Sequence, residues 1–117
     1  MNNTEEETKN GKNTLWVALS YGGRAEIIQA ARRLVEKGVK PEGVDEESFS
    51  KELWTAGMPD PDIIIRTSGE KRLSGFLPWQ GVYSELFFVD TYWPAFSKKE
   101  FEEVIKQYGE RQRRFGA

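Results

Sequence analysis

A β-branched apolar run that ends directly in a loop of anion-binding side chains constrains this chain more than any other feature. The run is Pro61-Asp62-Ile63-Ile64-Ile65-Arg66-Thr67-Ser68-Gly69-Glu70-Lys71-Arg72-Leu73-Ser74. Ile63 to Ile65 show no alternation of apolar and polar residues, which suits a central strand covered on both faces. The polar cluster then falls at the strand's carboxyl end. Open α/β sheets bind ligands outside those ends, so Arg66, Ser68, Arg72 and Ser74 stand where a ligand is expected. Two nearby guanidiniums can clamp a diphosphate through paired hydrogen bonds. A solvated loop with surface charges has the same composition, and the pattern alone leaves both readings open.

The chain has 117 residues, room for one small domain with one core. It contains neither cysteine nor histidine, which removes disulfides, thiolate zinc sites, Cys-His or Ser-His dyads and a histidine base together. A metal ion here would be a hard, oxygen-bound one such as magnesium. The cysteine-free composition is compatible with the cytosol. No apolar stretch approaches the roughly 20 residues that span a bilayer, and the polar, acidic amino terminus is unlike a signal peptide. The chain therefore reads as soluble. Net charge is −2 but uneven: seven acids against one base lie between Glu42 and Asp62, while Arg66–Ser74 and Lys98–Ala117 are net basic. Without a long basic stripe, nucleic acid is not an expected partner.

Met1 to Asn13 is polar and aperiodic and reads as a disordered lead-in, leaving residues 14–117 as part of a single domain. Thr14 to Tyr21 reads as an internal strand, closed by the tight Gly22-Gly23 turn. A helix follows from Arg24, with Ile27, Ala31, Leu34 and Val35 on one face and Gly38 and Pro41 as its stop. Asp45 reads as the N-cap of a second helix ending near Thr55 to Gly57, with Val44 and Phe49 as a hydrophobic staple. Ile63–Ile65 and Leu86–Val89 are the remaining strands. Ser97 and Glu100 form a capping-box pattern before a last helix whose stripe is Phe101, Val104, Ile105 and Tyr108. This order implies an α/β fold, a mostly parallel sheet flanked by helices. Three strands are a thin sheet for that architecture, so association with a copy or partner, or membership of a larger domain, is expected.

Tyr21-Gly22-Gly23-Arg24 is a second anion candidate. Glycines at a strand-to-helix turn let backbone amides approach a ligand, and the helix amino end adds partial positive charge. Gly-Gly serves equally as plain turn chemistry. Ser20-Tyr21-Gly22-Gly23-Arg24-Ala25-Glu26-Ile27, then Asp62 to Ser74, then Trp79-Gln80, Tyr83-Ser84-Glu85-Leu86 and Trp93-Pro94, in that order from about Thr14 to the end, resemble the cis-prenyltransferases, which include undecaprenyl diphosphate synthases.

The resemblance implies a partial cis-prenyltransferase fold, a parallel sheet flanked by helices that works as a dimer. The implied reaction joins isopentenyl diphosphate to an allylic diphosphate with magnesium, forming a cis double bond each cycle and a polyprenyl diphosphate. By resemblance, Arg66, Arg72 and Ser74 hold the diphosphate of isopentenyl diphosphate, and Glu85 helps place magnesium. Gly23 and Arg24 lie on the allylic side, and Arg114-Phe115-Gly116 matches the family's Arg-x-Gly, with Arg114 and Gly116 reaching the isopentenyl site across a dimer. A cytoplasmic enzyme that touches membranes only through its lipid product is implied as well.

This assignment suits the chemistry. The allylic diphosphate leaves as an anion while carbon gains cationic character, so fixed positive charge stabilises the leaving group. Two departures stand out in the sequence. The family's Asp-Gly-Asn-Gly-Arg-type motif, which carries an aspartate for magnesium and the allylic diphosphate, has no counterpart here, and Ser20 stands where many members have Asn. The chain is therefore expected to carry the isopentenyl side and to be inactive alone, with either a missing amino-terminal half or a homodimeric partner. The alternative is a non-catalytic partner subunit of a heteromeric enzyme. Plainer roles are also open at single positions: for Glu85 simply balancing an arginine, for Arg111, Arg113 and Arg114 offsetting the negative end of the last helix, and for Trp79, Tyr83, Phe87, Phe88 and Trp93 packing in a core or a dimer contact.

Overall fold

The computed structural model describes residues 11–116, with side chains described through residue 112. The expected lead-in therefore lies largely outside the described residues. Helix α1 spans Gly23–Glu36, a single 3-10 turn Pro41–Gly43 follows, and α2 spans Glu46–Ser50. Strand β1 is Ile63–Arg66, β2 is Glu85–Phe88, a second 3-10 turn covers Trp93–Ala95, and α3 runs over Lys98–Gly116. The two strands pair in parallel, with Ile63 opposite Glu85 and Arg66 opposite Phe88. The result is a small parallel sheet with helices, as the sequence pattern requires. No described helix is long and apolar enough to cross a membrane.

Local signals explain these boundaries. Asp45 accepts the backbone N–H of Ser48 at 2.7 Å while the Ser48 hydroxyl accepts the Asp45 N–H at 2.9 Å, a reciprocal cap that starts α2. The helix is shorter than its pattern suggests, and the chain from Lys51 to Gly57 proceeds as turns. Gly57 takes φ +89°, the left-handed geometry that ends such a segment. The Ser97 hydroxyl accepts the Glu100 N–H at 3.2 Å and caps α3 as expected.

Thr14 to Tyr21 does not form a strand. The segment is irregular, and Leu15, Val17 and Leu19 are 87%, 70% and 72% exposed. A strand is created by a neighbour's backbone, and within the described residues β1 pairs only with β2. The composition is that of an internal strand, but the pairing that would make it one is absent from the described fold.

The core is formed by Ala30, Leu34, Leu53, Ile64, Leu77, Phe87 and Val104. The buried face of α1 is Gly23, Glu26, Ala30 and Leu34, rotated from the apolar stripe: Ala31 and Val35 are exposed. Two non-apolar residues decide that rotation, Gly23 by close approach and Glu26 by hydrogen bonding. On α3 only Val104 of the expected stripe is buried, Tyr108 is half-buried, and Phe101 and Ile105 are exposed. A two-stranded sheet is only about 5 Å between strand axes, too narrow a platform to cover a full helix stripe. Of the aromatic residues, Phe87 is core, Trp79 and Phe88 are half-buried, and Tyr83 and Trp93 are exposed.

Candidate functional site

β1 delivers Arg66 to the carboxyl end of the strand pair, and the loop behind it curls back onto the same side chain. Arg66 Nη1 donates to the Arg72 carbonyl at 2.8 Å and to the Ser74 hydroxyl at 2.9 Å. Arg66 thus meets the backbone of Arg72 and the hydroxyl of Ser74, which the strand-then-loop order places within reach. The Arg72 side chain pairs with Glu70 at 2.8 Å, its head in solvent. Ser68 and Ser74 both adopt positive φ, 73° and 51°, each followed by a glycine in the same region. Left-handed backbone at non-glycine residues is strained, and it persists where the surroundings hold it, as at ligand-binding turns. Ser68 N–H donates to Thr91 O and Gly69 N–H to Val89 O, both at 2.9 Å, which moor the loop to the chain after β2. The loop borders a shallow cavity of about 370 Å³ that includes Ile65, Arg66, Ser68, Leu73 and Phe76. Phe76 also lines an apolar groove of about 300 Å³ with Trp16, Leu19, Tyr21 and Trp54. A cationic, hydroxyl-bearing loop and a hydrocarbon-lined groove therefore share a wall.

The amino end of α1 abuts this loop. Gly23 N–H donates to Gly75 O at 3.1 Å, one residue beyond Ser74. That amide is committed to the loop, while the Arg24 side chain is exposed. Behind the helix end lies a polar cluster that pattern reading did not single out. Glu26 Oε1 accepts from the Tyr21 hydroxyl at 2.6 Å and from the Gln80 amide at 3.0 Å, and that amide also donates to Thr55 Oγ1 at 2.7 Å. Tyr21 packs edge-on against Trp54 and Phe76. The signal was present in the sequence: an acid on the inward face of an otherwise amphipathic helix, i to i+4 from core positions.

Burial first, then the hydrogen bond and negative charge of Glu26, push the Tyr21 hydroxyl above the ordinary tyrosine range. Its protonated form is the one the fold favours. The corresponding stability is complete below the ordinary value of about 10 and is lost as pH rises from there through the raised value. Tyr21→Phe should cost about 1 kcal/mol at neutral pH through the lost hydrogen bond. It should also flatten the alkaline fall in stability, measured by urea unfolding at pH 8 to 11. An identical alkaline slope in both proteins would refute the assignment.

Glu85 stands at the start of β2, at the opposite end of the strand pair from Arg66. Its Oε2 accepts from Arg111 Nη1 at 3.2 Å; the same nitrogen donates to Leu86 O at 3.0 Å, and the guanidinium lies 4.0 Å above the Phe87 ring. Arg111 therefore fastens α3 to β2, a more specific contact than offsetting a helix end. Among the described residues no three metal-binding side chains come together. With Glu85 paired to Arg111 and remote from the Arg66 loop, the described residues do not by themselves fit a magnesium site. The Arg114 side chain lies outside the described residues, and Gly116 is the last residue of α3.

Comparison with known proteins bears on this arrangement. The Prenyltransf family model, described as "Putative undecaprenyl diphosphate synthase", matches residues 1–116. An isoprenyl transferase of Fusobacterium nucleatum is 52% identical over 113 residues, covering 96% of this chain and 48% of that protein. A tritrans,polycis-undecaprenyl-diphosphate synthase (geranylgeranyl-diphosphate specific) of Methanocaldococcus jannaschii is 49% identical over 119 residues, covering 96% of this chain and 42% of that protein. The crystal structure of a probable undecaprenyl diphosphate synthase from Campylobacter jejuni superposes with a TM-score of 0.72 at 38% identity, covering 98% of this chain and 54% of that one. The chain spans about half the length of the curated relatives it matches.

Proposed function

Because this chain belongs to the undecaprenyl diphosphate synthase family of prenyltransferases, we propose that it carries the isopentenyl diphosphate side of a cis-prenyl transfer site. The observation that carries the reading is the Arg66 guanidinium, held between Arg72 O and Ser74 Oγ beside a groove lined by Phe76. Guanidinium and hydroxyl donors match diphosphate oxygens, and an apolar wall matches a five-carbon hydrocarbon. The clamp needs no titrating group to bind an anion, in keeping with a chain that has no histidine or cysteine. Its task is positioning: an alkene held by its diphosphate presents its double bond to the carbon of an allylic partner.

In this reading the allylic diphosphate is bound with help from Arg24 only once further residues join the site, Gly23 shaping the turn while its amide stays on Gly75 O, and magnesium requires oxygens beyond Glu85. The exposed apolar segment containing Leu15, Val17 and Leu19 fits assembly with the complementary half of the fold or a second copy. A cytoplasmic setting belongs to the same reading. The pairing of Glu85 with Arg111 favours, as a second reading, a partner subunit that donates structure rather than metal ligands.

Titration of the chain with isopentenyl diphosphate by calorimetry tests the proposal. Saturable binding, tighter than that of inorganic diphosphate because the groove contributes, is expected. No transfer is expected when an allylic diphosphate and magnesium are added to the chain alone. Absence of binding, or an affinity no better than that for inorganic diphosphate, would sink the substrate assignment, and turnover by the chain alone would sink the claim of an incomplete site.

A further inference from the structure

Glu26 is fully buried at 0% exposure, and Gln80 is buried at 3%. None of the ion pairs among the described residues involves Glu26. Its Oε1 has two donors, Tyr21 and Gln80, but Glu26 Oε2 and Gln80 Oε1 are both buried acceptors that meet no donor among the described residues. Two side chains already joined by one N–H···O bond thus each leave an acceptor oxygen unmet. The large majority of buried acceptors in proteins are met, and where side chains do not meet them an internal water commonly does. One water molecule brings two O–H donors.

We propose that Glu26 and Gln80 form an internal site for a water molecule that donates to both, and that the completed network is a positioning device for the anion loop. Glu26 sits in the first turn of α1, whose Gly23 amide holds Gly75 O. Gly75 follows Ser74, and Ser74 receives Arg66. The network also joins Tyr21 on the incoming segment to Thr55 and Gln80 on two other loops. A helix end anchored from behind at Glu26 has one place to sit, and the Gly23 to Gly75 bond passes that placement to the loop. The closeness at Gly23, where an added Cβ would fall 2.2 Å from Gly75 O, leaves no slack in the transmission. The functional consequence rests on reading Arg66 to Ser74 as a diphosphate clamp; the positioning itself does not.

Amide hydrogen exchange in the full chain, read residue by residue by NMR, separates the two. In the natural sequence and in Glu26→Gln, which keeps an oxygen for Tyr21 and Gln80, the Gly23 amide should be protected. In Glu26→Leu it should exchange about tenfold faster, while the amides of Ile64 and Phe87 keep their protection and show the sheet intact. Affinity for inorganic diphosphate should fall about fivefold to tenfold in Glu26→Leu and stay unchanged in Glu26→Gln. Unchanged Gly23 exchange in a folded Glu26→Leu protein overturns the positioning role. The water site is tested without any variant by a high-resolution crystal structure: a solvent peak within about 3.2 Å of both oxygens supports it, and its absence overturns it. If the natural chain binds no diphosphate, the clamp reading fails while the exchange and density results still decide this inference.

Discussion

Arg66→Ala is expected to weaken the binding of inorganic diphosphate and of isopentenyl diphosphate by about 30- to 100-fold, the largest loss from any single side chain of the loop. A hydrogen bond to a charged group contributes about 1.5 to 3 kcal/mol, and each 1.4 kcal/mol is about tenfold in affinity. Arg66 also braces the loop itself, since one of its nitrogens holds both Arg72 O and Ser74 Oγ. Removing it takes away a positive charge and the brace together. Arg66→Lys should recover only part of the loss, because an ammonium that braces Arg72 O and Ser74 Oγ has one N–H left, whereas the guanidinium keeps a second nitrogen free to face a diphosphate. Arg72→Ala should cost less, because Arg72 must first leave Glu70; by the same logic Glu70→Gln should tighten binding. Calorimetry at fixed ionic strength measures all four. Equal affinities for the natural chain and Arg66→Ala would remove the clamp from the protein's function.

Gly23→Ala should destabilise the fold by about 1 to 3 kcal/mol, and more if the helix end cannot shift. An added Cβ would lie 2.2 Å from Gly75 O and 2.4 Å from Pro78 Cδ. Backbone and a proline ring cannot rotate away as a flexible side chain can. Relief therefore requires α1 to move off the loop, breaking the Gly23 to Gly75 hydrogen bond. Gly22→Ala is the control: its Cβ would meet only Ala25 Cβ at 3.9 Å, an ordinary contact. Urea midpoints of the two variants provide the measurement. A Gly23→Ala protein as stable as Gly22→Ala would show that the helix end is free to drift, contrary to the close packing at this turn.

Local interactions account for what was legible beforehand. Ile63–Ile65, Leu86–Phe88, the Asp45 and Ser97 caps and the start of α1 at the glycine turn all depend on residues a few positions apart. So does the gathering of Arg66, Arg72 and Ser74, since a strand and its following loop bring them together within a short stretch of chain. The failures are of another kind. Thr14 to Tyr21 has strand composition but no strand to pair with among the described residues, and a hydrogen-bond ladder is a property of two segments, not one. The α1 stripe was displaced because apolar periodicity assigns no weight to a glycine that permits contact or to a glutamate that finds partners inside. Arg111 spans 26 residues to reach Glu85, a distance no periodicity reports.

The sequence by itself determined the helices and the two strands that pair, the grouping of arginine and serine residues in the loop after β1 and the family, because propensity, capping and motif order are written in neighbouring residues. Only the tertiary structure decided that Gly23 serves as a packing contact with its amide engaged, that Glu85 is held by Arg111 away from the Arg66 loop, and that Tyr21 and Thr55 meet the buried pair Glu26 and Gln80 in one network. Each of those facts depends on which distant surfaces press together. Such choices are made by burial and by the need to satisfy buried polar groups across the whole chain.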